Sequence, residues 1–329
     1  MERAHLLAGT RAVIDHSRVL VHLATGIGNI VLATPLLLAL RQRFGAIDLL
    51  LHPDYAGVAE LFRGWSALGS VFDGRAGERP SGAYDVLVPA IPPFAWPRFA
   101  AHYRGRGNAV VRPPDALFYQ DEQGYYLAFA EQLGWRPDRR PDCFLPVAPA
   151  GIAGVTAETL ILAPGCKTGQ MAKKRWPHFL ALAALFPDVV IIGTEDDLLF
   201  ANGAPMRFPE HVRSLIGNLS LKELAGVLAA CGAVVANDSG IGHIAAAVGV
   251  PTILVFGPTP DKALGTLPSN ATVLRQGLAC EPCWFGNRFA ACGGRITCLR
   301  ELSATRVTAA LRAASLTLRA RVTESSYDL

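Results

Sequence analysis

Asn237-Asp238-Ser239-Gly240-Ile241-Gly242-His243 sets an acid, a hydroxyl, two glycines and an imidazole directly after the apolar run Ala233–Ala236. A short β-branched run of that kind predicts a buried parallel strand. The helix expected next begins with N–H groups that lack intrahelical partners and carry partial positive charge, which suits an anion such as phosphate. Ordinary capping of that helix by Asp238 or Ser239 is the alternative reading of the same residues. A second polar stretch, Lys173-Lys174-Arg175, follows Ala163-Pro164-Gly165 and precedes an expected helix; it is either a solvated basic run or a counter-charge for an anion. In Gly26-Ile27-Gly28-Asn29 two glycines permit close backbone approach to a ligand, and Asn29 suits a helix N-cap. Cys280-x₂-Cys283-x₈-Cys292-x₅-Cys298 has the spacing of tetrahedral thiolate ligands for structural zinc or iron, with buried thiols or disulfides as the alternatives.

The elements needed to position these groups alternate along the chain. Val19–Ala24 predicts a strand, followed by a helix to about Phe44 in which Pro35 either makes a kink or begins the regular part with Thr34 as cap. Ile47–Leu51, Val71-Phe72 and Asp85–Val88 predict three more strands, and Leu117–Leu133 a helix ended by Gly134. Between Arg136 and Ala157 lie four prolines and two glycines, a linker composition. Beyond it the alternation resumes: strands at Leu160–Leu162, Val189–Ile192 and Arg213–Ile216, helices at Pro177–Phe186 and Leu221–Ala230, and a short helix from Glu195. This predicts an α/β chain of two doubly wound domains, residues 1–150 and 151–329, the second carrying the cysteine cluster.

Composition narrows the function classes. With 51% hydrophobic and 18% charged residues the chain reads as well buried, and a net charge of +4 suits an anionic ligand but not a nucleic-acid binder. Charges at Glu2, Arg3, Arg11, Asp15 and Arg18 interrupt any signal-peptide core, and no apolar run is long enough for a membrane span. The expected location is the cytoplasm, where seven cysteines should not form structural disulfides.

The stretch from Asp238 to Thr259 closely resembles the signature of glycosyltransferase family 9, the ADP-heptose heptosyltransferases: D-[ST]-G-x-x-H-x-A-A-x-x-x-x-P-x-x-x-x-F-G-P-T. Pro164-Gly165 with Lys174-Arg175-Trp176-Pro177 is similar to that family's P-G-[AS]…K-x-W-P. Gly26–Pro35 resembles its G-x-G-D-x-[LI]-x-x-[TL]-P. The resemblance runs from Gly26 to Cys298 and is strong from Pro164 onward.

It implies a GT-B fold, two Rossmann-like domains facing a cleft, the first binding the acceptor and the second the nucleotide sugar. It implies an inverting transfer of a heptose-like sugar from an ADP-activated donor to an acceptor hydroxyl. Lys174 matches the lysine that meets the donor's diphosphate, with Gly26, Gly28, Thr168, Asp238, Ser239, Gly240, Ile241 and His243 also around the donor. Leu219 falls where adenine is cradled, and Glu195 or Asp197 where the ribose is held. No catalytic metal is expected, since the chain has no D-x-D triplet and a lysine with a helix N-terminus can neutralise a leaving diphosphate. Some relatives bind iron through a related cysteine pattern.

Asn29 departs from the family. It stands where an aspartate is the proposed general base, and an amide cannot accept a proton at neutral pH. Either His22, Asp54 or Asp115 supplies the base, or the acceptor needs little activation, or activity is lost. The acceptor is a lipopolysaccharide glycan, a protein hydroxyl or a small metabolite; the rival class is a non-catalytic ADP-sugar-binding protein.

Overall fold

The computed structural model describes residues 17–136, 138–284, 292 and 294–315. The charges at Glu2, Arg3, Arg11 and Asp15 therefore lie outside the described residues. The chain divides into two compact units, Met1–Pro146 with Lys262–Leu267, and Val147–Asp261 with Pro268–Leu329.

The first unit contains β1 (Val19–Thr25), α1 (Ile27–Leu32), α2 (Thr34–Phe44), β2 (Ile47–Pro53), β3 (Leu68–Asp73), β4 (Val86–Val88), α3 (Trp96–Phe99), α4 (Asp115–Gln120) and α5 (Glu122–Gln132). Its strands form a parallel sheet in the order β3-β2-β1-β4. All seven residues of β1 are buried, as a central strand covered on both faces requires. The order reverses direction between β1 and β4, so the loop after β1 opens where doubly wound sheets bind ligands.

Two expected helices are each broken in two. The helix after β1 stops at Ala33, and Pro35 sits in the first turn of α2, where its missing N–H costs no hydrogen bond. Thr34 is not a cap: its hydroxyl donates to Val31 O at 2.7 Å and accepts from Phe144 N–H at 3.1 Å. The segment read as Leu117–Leu133 breaks at Asp121, whose Oδ1 accepts from Gly124 N–H at 2.8 Å and caps α5. That cap makes Glu122 the first residue of α5, a position with a role described below.

The second unit contains β5 (Leu160–Ala163), α6 (Phe179–Ala183), β6 (Val189–Ile191), β7 (Arg213–Ser214), α7 (Leu221–Ala230), β8 (Ala233–Asn237), α8 (Gly240–Ala247), β9 (Thr252–Val255), β10 (Ala271–Leu274), α9 (Thr297–Arg300) and α10 (Ala304–Ala314). The sheet is parallel throughout, in the order β10-β9-β8-β5-β6-β7. Counted from β5, this is the six-stranded Rossmann order, with its switch point between β5 and β8. β5, β8 and β9 are buried at every position. The sequence reading did not anticipate β10 or α10. Val307 and Leu311 of α10, one turn apart, enter the same core as Trp176, Phe179 and Phe186. Trp176 is fully buried, and its indole N–H donates to Leu302 O at 2.7 Å, so the largest side chain in that core leaves no polar atom unpaired.

Candidate active site

The switch point of the second unit is built on Asn237, the last residue of β8. Its Nδ2 donates to Pro164 O at 2.6 Å and its Oδ1 accepts from Trp176 N–H at 2.9 Å. One fully buried amide thus ties the loop after β8 to the beginning and end of the loop after β5. That double bond fixes Asp238 and Lys174 opposite each other.

Lys174 Nζ lies 2.9 Å from Asp238 Oδ2, and His243 Nε2 lies 3.6 Å from Asp238 Oδ1. Lys174 and Asp238 are each 12% exposed at the side chain. Burial pushes the Asp238 carboxyl up, but the Lys174 ammonium and His243 outweigh it and hold the group well below the usual carboxylate range. Asp238 is therefore ionised and paired. Lys174 does not belong to a solvated run, and Arg175 beside it is buried, donating to Leu199 O at 2.6 Å.

The capping reading of Asp238 and Ser239 does not describe the structure. Ser239 occupies the N-cap of α8, yet no side chain caps that helix. Ser239 Oγ is buried with no hydrogen-bond partner, and so is Thr259 Oγ1 in the loop after the neighbouring strand β9. At Gly242 a Cβ would lie 2.5 Å from Leu254 Cδ2, so a larger residue there would have to displace that side chain. The first turn of α8, with Gly240 and Ile241 half-buried, is thus an uncapped helix start beside an ammonium and an orphan hydroxyl. Such a group can bind a diphosphate without a metal, by N–H donors, a positive helix end and a lysine.

The two acids after β6 separate. Asp197 is buried; its Oδ2 accepts from Thr194 N–H at 2.8 Å and from Thr194 Oγ1 at 3.1 Å, and Arg175 lies 3.7 Å away. Gly165 gives it room, since a Cβ there would overlap the carboxylate. Asp197 thus serves the structure of the loop, while Glu195 faces solvent at the carboxyl end of β6. Leu219 is half-buried in the turn between β7 and α7, and Thr168 and Gly169 are exposed.

In the first unit, Gly26, Ile27, Gly28 and Asn29 are all half-buried. Thr25 just before them has φ of 85°, a left-handed conformation that is costly for a β-branched residue and typical of functional loops. Asn29 Nδ2 donates to Glu122 Oε1 at 2.8 Å, while Thr25 Oγ1 donates to Asn29 Oδ1 at 3.2 Å. Nothing in the sequence flags Glu122, which lies 93 positions from Asn29.

The three base candidates read from the sequence are placed otherwise. His22 is buried with Nδ1 2.5 Å from Tyr103 Oη and Nε2 2.7 Å from His52 Nδ1. Burial first, then the charges of His52 and His102, push it down to about 3, so it is neutral and both nitrogens are engaged. Asp115 pairs with Arg112 at 2.8 Å on an exposed helix start. Asp54 meets the loop through its backbone N–H, which donates to Thr25 O at 2.9 Å.

The four cysteines of the cluster differ in burial. Cys283 and Cys298 are buried in the core, Cys280 is exposed and Cys292 is intermediate. The four are near enough for the charges of Cys280 and Cys292 to add to the burial that raises the Cys283 thiol. Burial and Glu281 push Cys298 up to about 12. Among the described residues no group of three or more His, Cys, Asp or Glu is arranged to hold a metal, and no cysteine is in a disulfide.

Lipooligosaccharide heptosyltransferase 2 of Haemophilus influenzae is 36% identical over 122 residues, which cover 34% of this chain and 35% of that protein. The match thus spans about a third of the relative's length. A family 9 glycosyltransferase structure from Veillonella parvula superposes with a TM-score of 0.71 at 17% identity, covering 92% of this chain and 98% of the other. E. coli heptosyltransferase WaaC with ADP gives a TM-score of 0.64 at 20% identity, covering 91% and 100%. These structures establish the GT-B fold with its two Rossmann-like units. The sequence model of glycosyltransferase family 9 (heptosyltransferase) matches residues 130–288, the stretch that contains the Lys174–Asp238–His243 group and the open start of α8, and over that stretch the chain is similar to that family.

Proposed function

We propose that this protein is an inverting glycosyltransferase that moves a heptose-like sugar from an ADP-activated donor to an acceptor hydroxyl. The observation that carries this reading is the Lys174–Asp238 pair beside the uncapped start of α8. Lys174 has three donor hydrogens, and its bond to Asp238 uses one, leaving two for a diphosphate. The N–H groups of Gly240 and Ile241 and the hydroxyl of Ser239 complete the anion site. Glu195 accepts from the ribose hydroxyls, Leu219 covers the adenine, and Thr168 and Gly169 close over the phosphates. His243 braces Asp238 from the side away from the ligand.

As the acceptor oxygen bonds to the anomeric carbon, the bond to the diphosphate breaks and its electron pair leaves on ADP. The growing negative charge is met by Lys174 and α8, which are already positioned, so no reorganisation is needed at that moment. Attack from the face opposite the leaving group inverts the anomeric centre. The first unit supplies the acceptor site through the Gly26–Asn29 loop. The relatives' names put lipooligosaccharide or lipopolysaccharide first among acceptors to assay, with a protein hydroxyl or a small metabolite next. Among the described residues no helix is long and apolar enough to cross a membrane. Cysteines outside disulfides suit a reducing compartment, and we place the protein in the cytoplasm. The cysteine cluster has no part in this reading.

Asn29 favours a second reading, a protein that binds an ADP-sugar without transferring it. Mass-spectrometric detection of a heptose added to an acceptor from ADP-heptose decides between the two. Binding of ADP with no transfer to any acceptor class leaves the second.

A further inference from the structure

We propose that Glu122 is the proton acceptor of the transfer, supplying from α5 the carboxylate that the loop after β1 lacks. The proposal rests on the transferase reading above. Any acceptor hydroxyl must lose its proton as its oxygen bonds to the sugar, and a group near the acceptor loop has to take it. Just after that loop Asn29, in the first turn of α1, donates its amide N–H to Glu122 Oε1 at 2.8 Å and receives the Thr25 hydroxyl on Oδ1. The two bonds set the orientation of the amide, its NH₂ turned to the carboxylate. Tyr126 Oη donates to the same Glu122 oxygen at 3.2 Å. The loop and the carboxylate therefore form one hydrogen-bonded unit, with the negative charge one residue deeper than a loop carboxylate would carry it.

Glu122 is suited to the task by its surroundings. It is 6% exposed, so little water reaches it. It is the first residue of an eleven-residue helix, whose N-terminal end favours negative charge. Its charge is felt by its neighbours: burial pushes the Cys143 thiol up to about 12 with Glu122 adding to the rise, and the Tyr126 hydroxyl is raised by burial and by Glu122. Neither of those groups gives up a proton near neutral pH. In the transfer, the acceptor oxygen forms its bond to the anomeric carbon, the carbon–oxygen bond to ADP breaks with its electron pair, and the hydroxyl proton passes to the Glu122 carboxylate. The carboxylic acid then returns that proton to solvent.

The test moves the carboxylate across the pair in the full-length protein, reading ADP release and glycoside formation from ADP-heptose across pH 5–9. Glu122→Gln keeps an oxygen to accept from Asn29 and Tyr126 but cannot take a proton. It should lower kcat by about 10²-fold or more, abolish the acidic limb of the kcat profile, and leave ADP affinity and Tm near those of the wild type. The double variant Asn29→Asp with Glu122→Gln reverses the same hydrogen bond and puts a carboxylate on the loop. It should recover at least about tenfold of the lost kcat. A Gln variant that keeps the wild-type kcat or its acidic limb, or a double variant no faster than Glu122→Gln alone, overturns the assignment and leaves the transferase reading standing. A wild-type protein that binds ADP but transfers to no acceptor removes both.

Discussion

Lys174 and Asp238 stand 2.9 Å apart although 64 residues separate them, joined across the switch point of the second sheet. On the proposed function, Lys174→Ala removes a charge-assisted bond to the donor's diphosphate, and it leaves Asp238 buried without its cation. ADP affinity should fall about ten- to a hundredfold, or roughly 1.5–3 kcal/mol, by calorimetry. The pair also sets an acid limit on stability. The Asp238 carboxyl is depressed in the folded state, so its contribution is fully present above the unfolded value of about 3.9 and is lost as pH falls below it. Tm measured between pH 2 and 7 should drop more steeply at the acid end for the wild type than for Asp238→Asn. Unchanged ADP affinity in folded Lys174→Ala would remove the lysine from the site.

Asn29→Asp does not simply restore a base. The new carboxylate would face Glu122 at 2.8 Å, and two carboxylates that close cannot both ionise, so the pair would hold one proton at neutral pH. Transfer should be unchanged or slower, with the acidic limb of kcat moved to higher pH. A gain approaching 10²-fold would instead show that the wild-type site lacks a base altogether.

Asn237→Ala removes two hydrogen bonds that pin both ends of the loop after β5. With each buried bond contributing about 1 kcal/mol and the orphaned groups costing more, unfolding free energy should fall by about 2–4 kcal/mol. Because the same bonds hold Lys174 opposite Asp238, ADP affinity should fall as well. Loss of stability at constant ADP affinity would separate the amide from the site.

Glu195 and Asp197 should answer to different measurements. Glu195→Ala should weaken ADP about tenfold while leaving pyrophosphate binding and Tm unchanged, since it loses only the proposed ribose contact. Asp197→Asn should lower Tm, because buried Asp197 closes the turn on Thr194 and meets the buried Arg175. The reverse pattern would exchange the two roles.

What the sequence determined by itself was local. The apolar runs at Val19–Ala24, Leu160–Leu162 and Ala233–Ala236 became strands because burial on both faces demands such residues within each run. The polar turn before Gly240 became a helix start for reasons contained in a few positions. The alternation of these elements implied two doubly wound sheets, and the motif around Asp238 pointed to the proposed anion site. Helix ends were less legible: Asp121 and Thr34 are both polar residues in apolar stretches, yet one caps a helix and the other bonds Val31 and Phe144. The difference lies in neighbours far along the chain. Tertiary structure alone decided that Asp238 pairs with Lys174 rather than capping α8, that Asp197 closes a turn while Glu195 stays open, and that His22 is sealed between Tyr103 and His52. It also brought Glu122 to Asn29. A residue's partner across a switch point depends on strand order and on which loops the sheet sets side by side, and neither quantity is encoded within a window of sequence.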